Sequence, residues 1–176
     1  LLRFLLHGLC PAFEHAAIFN RNSLLGIDAC FDVGANKGQF AVFFRNISNA
    51  PIYCFEPLPT AFNFLERHVR LENTQLFPVA LGDSLQNLKL HIASSDDSSS
   101  FLDISRLQEK VYGVSSGNSS VDVSVCTLQS FLERLHVING LLKIDVQGFE
   151  INVLKGCANL SHFFKYIYLE VSFVPL

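Results

Sequence analysis

The ten residues FDVGANKGQF, 31–40, constrain this chain more than any other stretch. A hydrophobic lead-in runs into Asp32-Val33-Gly34, small residues follow, and a second apolar run opens at Phe40. Such a pattern predicts a buried strand, a tight turn and a helix.

The rest of the chain repeats the rhythm. ACFDVG (29–34), PIYCFEP (51–57), QLFPVAL (75–81), LLKIDV (141–146) and YIYLEV (166–171) read as strands. QFAVFFRNI (39–47), TAFNFLERHVRL (60–71), TLQSFLERLHV (127–137) and FEINVLKG (149–156) read as helices, the last stopped by Gly156. Strands alternating with helices imply parallel pairing and helices on both faces. Right-handed crossovers then give an α/β, doubly wound, mostly parallel sheet of Rossmann-like type. LKLHIAS (88–94) and VDVSVCT (121–127) break the rhythm, because they alternate like exposed strands. Two Ser-rich stretches, 94–100 and 115–120, lie between them. The expectation is an inserted β-hairpin-like element carrying a flap.

Residues 1–28 open on an apolar run interrupted by Arg3, His7, Pro11, Glu14 and His15. That run is too broken for a membrane span and predicts a helical segment packed on the domain formed by 29–176. The sequence holds no Met and ends just after the apolar run 166–173. The expectation is a fold cut short before its last strands, with that edge covered by further chain or by an oligomeric partner.

Composition narrows the function. Net charge is −3 and no stripe of Lys and Arg appears, which argues against a nucleic-acid partner. The five cysteines, at 10, 30, 54, 126 and 157, contain no CxxC pair. They read as reduced core residues in a reducing, cytoplasmic compartment. The six histidines fall in no metal-binding spacing, so no metal site is expected.

The turn itself discriminates between cofactors. A phosphate-binding P-loop needs GK[ST], which NKGQ lacks. A dinucleotide fingerprint needs glycines at relative positions 1, 3 and 6, and position 6 here is Gln39. The spacing that fits is 1, 3, 5: Gly34, Asn36 and Gly38. Asn is the residue other than Gly that best tolerates a left-handed turn. That rhythm suits S-adenosylmethionine, a cofactor with no phosphates and a cationic sulfonium. Glu56 ends the second strand, where a carboxylate can take both ribose hydroxyls. Asp83, in ALGD (80–83), falls where an adenine amine would lie. Asp32 can accept from loop amides or, through water, from the cofactor's ammonium. Each residue also admits a plain reading: Asp32 satisfying turn amides, Glu56 ending a surface strand, Asp83 starting a turn.

DVGANKGQF, FEP, ALGD, LLKIDVQGFEINVLKG and LEVSFVPL, in this order over roughly 30–176, resemble the FkbM family of S-adenosylmethionine-dependent methyltransferases. The resemblance implies the class I methyltransferase sheet and O-methylation of a sugar, glycan or small natural product. The candidate cofactor contacts are then Asp32, Gly34, Ala35, Asn36, Gly38, Glu56, Pro57, Leu81 and Asp83. The family commonly carries Glu where this chain has Gln147.

An alcohol acceptor must lose a proton, so a base is sought. Asp145, at the carboxyl end of the fourth strand, is the first candidate, with a helix N-cap as its plain reading. Glu170 is the second, as a carboxylate on a strand expected to be covered on both faces. Glu150 lies in a first helical turn, where acids suit the dipole anyway. His91 is the one histidine to test. The rival readings are an NAD-linked oxidoreductase and a catalytically inactive cofactor-binding domain.

Overall fold

The computed structural model describes residues 7–9, 13–20, 22–69, 71–91 and 120–170. Its framework is a five-stranded parallel sheet. β1 (Cys30–Val33), β2 (Ile52–Phe55) and β3 (Thr74–Phe77) alternate with α2 (Gln39–Ile47) and α3 (Pro59–His68). The chain then leaves the sheet and re-enters it at β7 (Gly140–Ile144), followed by α5 (Glu150–Lys155), α6 (Leu160–Phe163) and β8 (Phe164–Leu169). Spatial order is β3-β2-β1-β7-β8. The direction of winding therefore reverses between β1 and β7. A crevice opens at such a switch point, outside the carboxyl ends of the strands.

Burial explains why these segments are strands. β1, β2 and β7 are buried along their whole lengths, as parallel strands covered on both faces must be. Successive side chains alternate between two cores. Cys30, Cys54 and Leu141 pack with Phe40, Phe44 and Leu65 from α2 and α3. Phe31, Phe55, Leu142 and Ile144 pack on the other face with Val153 of α5 and with Leu128 and Leu132 of α4 (Leu128–Leu132). Phe31, Phe44 and Phe55 have no exposed surface, each contributing roughly 1.5–3 kcal/mol of burial. Before β1, α1 (Phe13–Ile18) sets His15 edge-on to Phe40 of α2, and Phe19 and Leu24 join the same core.

QLFPVAL is not one strand. Pro78 offers no N–H to a ladder, and the run divides there into β3 and β4 (Ala80–Gly82). β4 belongs to a second sheet of order β4-β6-β5, with β5 Gln86–His91 and β6 Ser120–Thr127. β5 and β6 pair antiparallel from Gln86↔Val125 to His91↔Ser120, as a hairpin-like element requires. The expected flap falls in 92–119, outside the described residues, as do most of 1–12 and all of 171–176. α3 and α4 stop sooner than the sequence pattern suggests, at His68 and Leu132. Beyond Leu132 the chain continues in tight turns, Arg134 N–H to the Phe131 carbonyl and Leu135 N–H to the Leu132 carbonyl.

Cys30, Cys54, Cys126 and Cys157 are free thiols. No helix among the described residues is long and apolar enough to cross a membrane.

Candidate active site

A hollow opens at the switch point. It is lined by Val33 at the end of β1, by Gly34 and Asn36 from the β1–α2 turn, and by Phe55, Glu56, Pro57 and Leu58 at and beyond the end of β2. Val79, Ala80, Leu81 and Leu90 give it an apolar flank, and Asp145, Val146 and Gln147, past the end of β7, close the other side.

The turn is built as its small residues suggest. Gly34, Asn36 and Gly38 all have positive φ, at 73°, 48° and 90°. The reason for each glycine is more specific. A Cβ on Gly34 would overlap the Asp145 carbonyl, so this position is held open by the neighbouring loop's backbone. A Cβ on Gly38 would come within 2.6 Å of Leu65 Cδ1, so that glycine serves the packing of α2 on α3.

The amides of the turn point back into the protein. Gly34 and Ala35 donate to the Phe55 carbonyl, each at 3.0 Å, and Gly38 donates to the Ala35 carbonyl at 2.8 Å. Asn36 donates to Glu56 Oε2 at 2.8 Å, and Leu58 donates to Glu56 Oε1 at 2.8 Å. Glu56 thus ties two loops together while facing the hollow. Burial raises its pKa, and the two backbone N–H bonds offset this in part. Each carboxylate oxygen has a second lone pair for a further donor.

Beneath the turn lies a cation that the sequence pattern did not single out. β1 and β7 pair in parallel with Asp32 directly opposite Lys143. The Lys143 ammonium lies 3.2 Å from Asp32 Oδ1 and 3.5 Å from Asp145 Oδ2, and donates to the Gly34 carbonyl at 2.9 Å. Asp32 is fully buried. Burial raises its pKa against the lowering pull of Lys143 and of the Ala41 N–H. Burial alone would lower the pKa of Lys143, but the two carboxylates overcome it and the net shift is upward. The ammonium is therefore held in its charged form. Strand alternation was the available signal, because Asp32 and Lys143 occupy α2-facing positions of adjacent buried strands.

Asp145 is held at both oxygens, Oδ2 facing Lys143 and Oδ1 accepting from Gln147 Nε2 at 3.1 Å. Glu150 does not face the hollow with it. Its Oε1 accepts from the Val146 and Gly148 amides at 3.3 and 3.0 Å, pinning the loop that carries Gln147 in a left-handed conformation.

The expected contacts therefore divide. Gly34, Asn36, Glu56, Pro57, Leu81 and Asp145 meet around one hollow. Asp32, Ala35 and Gly38 are not among its lining residues, and Asp32 lies against Lys143. Asp83 departs from its expected place at the hollow. It is exposed and accepts from Ser84 Oγ at 3.0 Å and from Asn152 Nδ2 at 3.3 Å. Glu170 departs too: β8 ends at Leu169, and Glu170 lies exposed beyond it, its N–H on the Ile144 carbonyl at 3.1 Å. The two-sided burial that made it a base candidate is absent. His91 closes β5 opposite Ser120. Among the described residues, no three His, Cys, Asp or Glu side chains gather as a metal site would require.

Known proteins share this sequence pattern. A protein-family model described as the methyltransferase FkbM domain matches residues 32–175. Among curated proteins, the chain is similar to Methyltransferase 1 of Beauveria bassiana (strain ARSEF 2860), 28% identical, with 82% of this chain and 66% of that protein covered. The chain thus spans just under two thirds of that relative's length. No solved structure matches. With the family model matching most of its length, this chain belongs to the FkbM methyltransferase domain family.

Proposed function

We propose that the chain is an S-adenosylmethionine-dependent methyltransferase that O-methylates a hydroxyl of a sugar, glycan or small natural product. The observation that carries this reading is the hollow shared by the β1–α2 turn, Glu56 and Asp145.

The residues present fit the cofactor. A pyrophosphate would need free amides at the start of α2. Here the amides of Gly34, Ala35, Asn36 and Gly38 are already bonded within the protein, which disfavours NAD. Carboxylates facing the hollow, Glu56 and Asp145, suit a cationic nucleoside, and the flank of Leu58, Val79, Leu81 and Leu90 suits a flat apolar ring.

When bound, the cofactor supplies a methyl group already activated on a positively charged sulfur. The chain's part is orientation. Glu56 has lone pairs for a pair of sugar hydroxyls, and such donors would restore some of the solvation that burial removed. Asp145 lines the hollow and in this reading accepts the substrate hydroxyl's proton.

Titration calorimetry of the chain with adenosylhomocysteine and with NADH tests the cofactor. Binding of the first and not the second is expected, and the reverse overturns the reading. A panel of hydroxylated acceptors incubated with S-adenosylmethionine then tests O-methylation. Asp145→Asn is expected to lower turnover with adenosylhomocysteine affinity retained, and full turnover by that variant removes Asp145 as proton acceptor.

A further inference from the structure

The Asp145 carboxylate is gripped from two directions. Lys143 approaches Oδ2 from beneath the turn at 3.5 Å, and Gln147 donates to Oδ1 from the rim at 3.1 Å. The two grips have different supports. Lys143 is buried in β7 and fixed by Asp32 and the Gly34 carbonyl. Gln147 sits at φ 52°, on a loop pinned by Glu150 Oε1. A partly exposed carboxylate at a strand end would ordinarily sample several rotamers, because only solvent faces it. Asp145 has a donor at each oxygen, so its plane is set by a buried strand residue on one side and by the loop after that strand on the other.

We propose that Lys143 and Gln147 are positioning residues that hold Asp145 in a single rotamer aimed into the hollow. The inference rests on Asp145 as proton acceptor in the proposed reaction, and it assigns a role to Gln147. An amide can donate to Asp145 Oδ1, whereas an ionised carboxylate there cannot. Lys143 also couples the two sides of the hollow, since one ammonium touches both the β1–α2 turn and Asp145. Of the other charged groups near the pair, Asp32 shares the Lys143 ammonium, while Glu56 and Glu150 accept from backbone amides.

Three-bond NMR couplings from backbone nitrogen and carbonyl carbon to Asp145 Cγ read the rotamer directly, with Asp145→Asn to assign the signal. In the unaltered chain they are expected to have the extreme values of one staggered well. In Gln147→Met, which keeps the side chain's length without its donor, they are expected to move toward rotamer-averaged values. Thermal melting should stay within a few degrees. Because Lys143→Met strands Asp32, the cation is tested in the double variant Asp32→Asn/Lys143→Met, where averaging is again expected. Unchanged couplings in both variants overturn the proposal. Adenosylhomocysteine calorimetry on the unaltered chain separates the two readings. Binding with unchanged couplings defeats the clamp alone, and rotamer averaging without binding defeats the cofactor assignment alone.

Discussion

Gly34 and Asp145 meet backbone to backbone, with the α-carbon of the first against the carbonyl of the second. This contact joins the two loops that form opposite sides of the hollow. Gly34→Ala must adopt φ 73° with a side chain, and its Cβ has no room. Gly26 gives the control: its φ is 76°, with nothing within 4 Å of an added Cβ. Gly26→Ala should cost about 1 kcal/mol, the conformational penalty alone. Gly34→Ala should cost about 3 kcal/mol or more, through strain and displacement of the Asp145 loop. Chemical denaturation of both variants measures the difference, and equal losses would show that the loops are not tightly joined there.

Glu56 predicts a conflict between stability and binding. Its folded pKa lies above the ordinary 4.5 because burial penalises the charge. With the folded state binding the proton more tightly than the unfolded state, this group favours folding most at low pH. That contribution is lost as pH rises from about 4.5 through the raised folded value. Glu56→Gln cannot ionise. The melting temperature of the parent minus that of the variant should therefore fall between pH 4 and pH 7. A constant difference would mean that the carboxylate is not held in a protonation-favouring site. At neutral pH Glu56→Ala should weaken adenosylhomocysteine binding by ~1–3 kcal/mol, through loss of charged hydrogen bonds.

The turn and Glu56 are legible in the sequence because both come from strand ends. Buried parallel strands are nearly continuous apolar runs, and the residues just past their carboxyl ends gather on one edge of the sheet. Asp145 is legible on the same ground. Lys143 is not, since its meaning comes from register: only the pairing of β1 with β7 sets it opposite Asp32. Asp83 is misplaced when QLFPVAL reads as one strand. Pro78 hands the segment to a second sheet, and the turn after β4 then carries Asp83 toward Asn152 of α5. Glu170 is misjudged because alternation specifies which face a residue shares and leaves open where a strand stops.

Removing one charge from the buried pair should cost more than removing both. Lys143→Met leaves the fully buried Asp32 without its cation, for a loss of roughly 3–5 kcal/mol. Asp32→Asn/Lys143→Met removes both charges, and a large part of that stability should return. Urea denaturation of the two single variants and the double variant gives the coupling directly. Additive losses would mean that the two groups do not stabilise each other. The sign with pH is fixed as well. The folded pKa of Lys143 is raised above 10.5, so its contribution is complete below that value and declines only as pH climbs through the higher folded one.

Asp83 supplies a negative prediction. It is exposed, and its oxygens are taken up by Ser84, Gln86 and Asn152, away from the residues lining the hollow. Exposed hydrogen bonds of this kind contribute little, because water replaces each partner. Asp83→Ala should change adenosylhomocysteine affinity by less than about twofold and stability by about 0.5 kcal/mol. Leu81 is the contrast on the same segment: it lines the hollow and is 1% exposed. Leu81→Ala should weaken binding and lower stability by about 2–5 kcal/mol. Calorimetry and melting of the two variants side by side decide the matter, and a tenfold loss of affinity in Asp83→Ala would put that carboxylate back at the ligand.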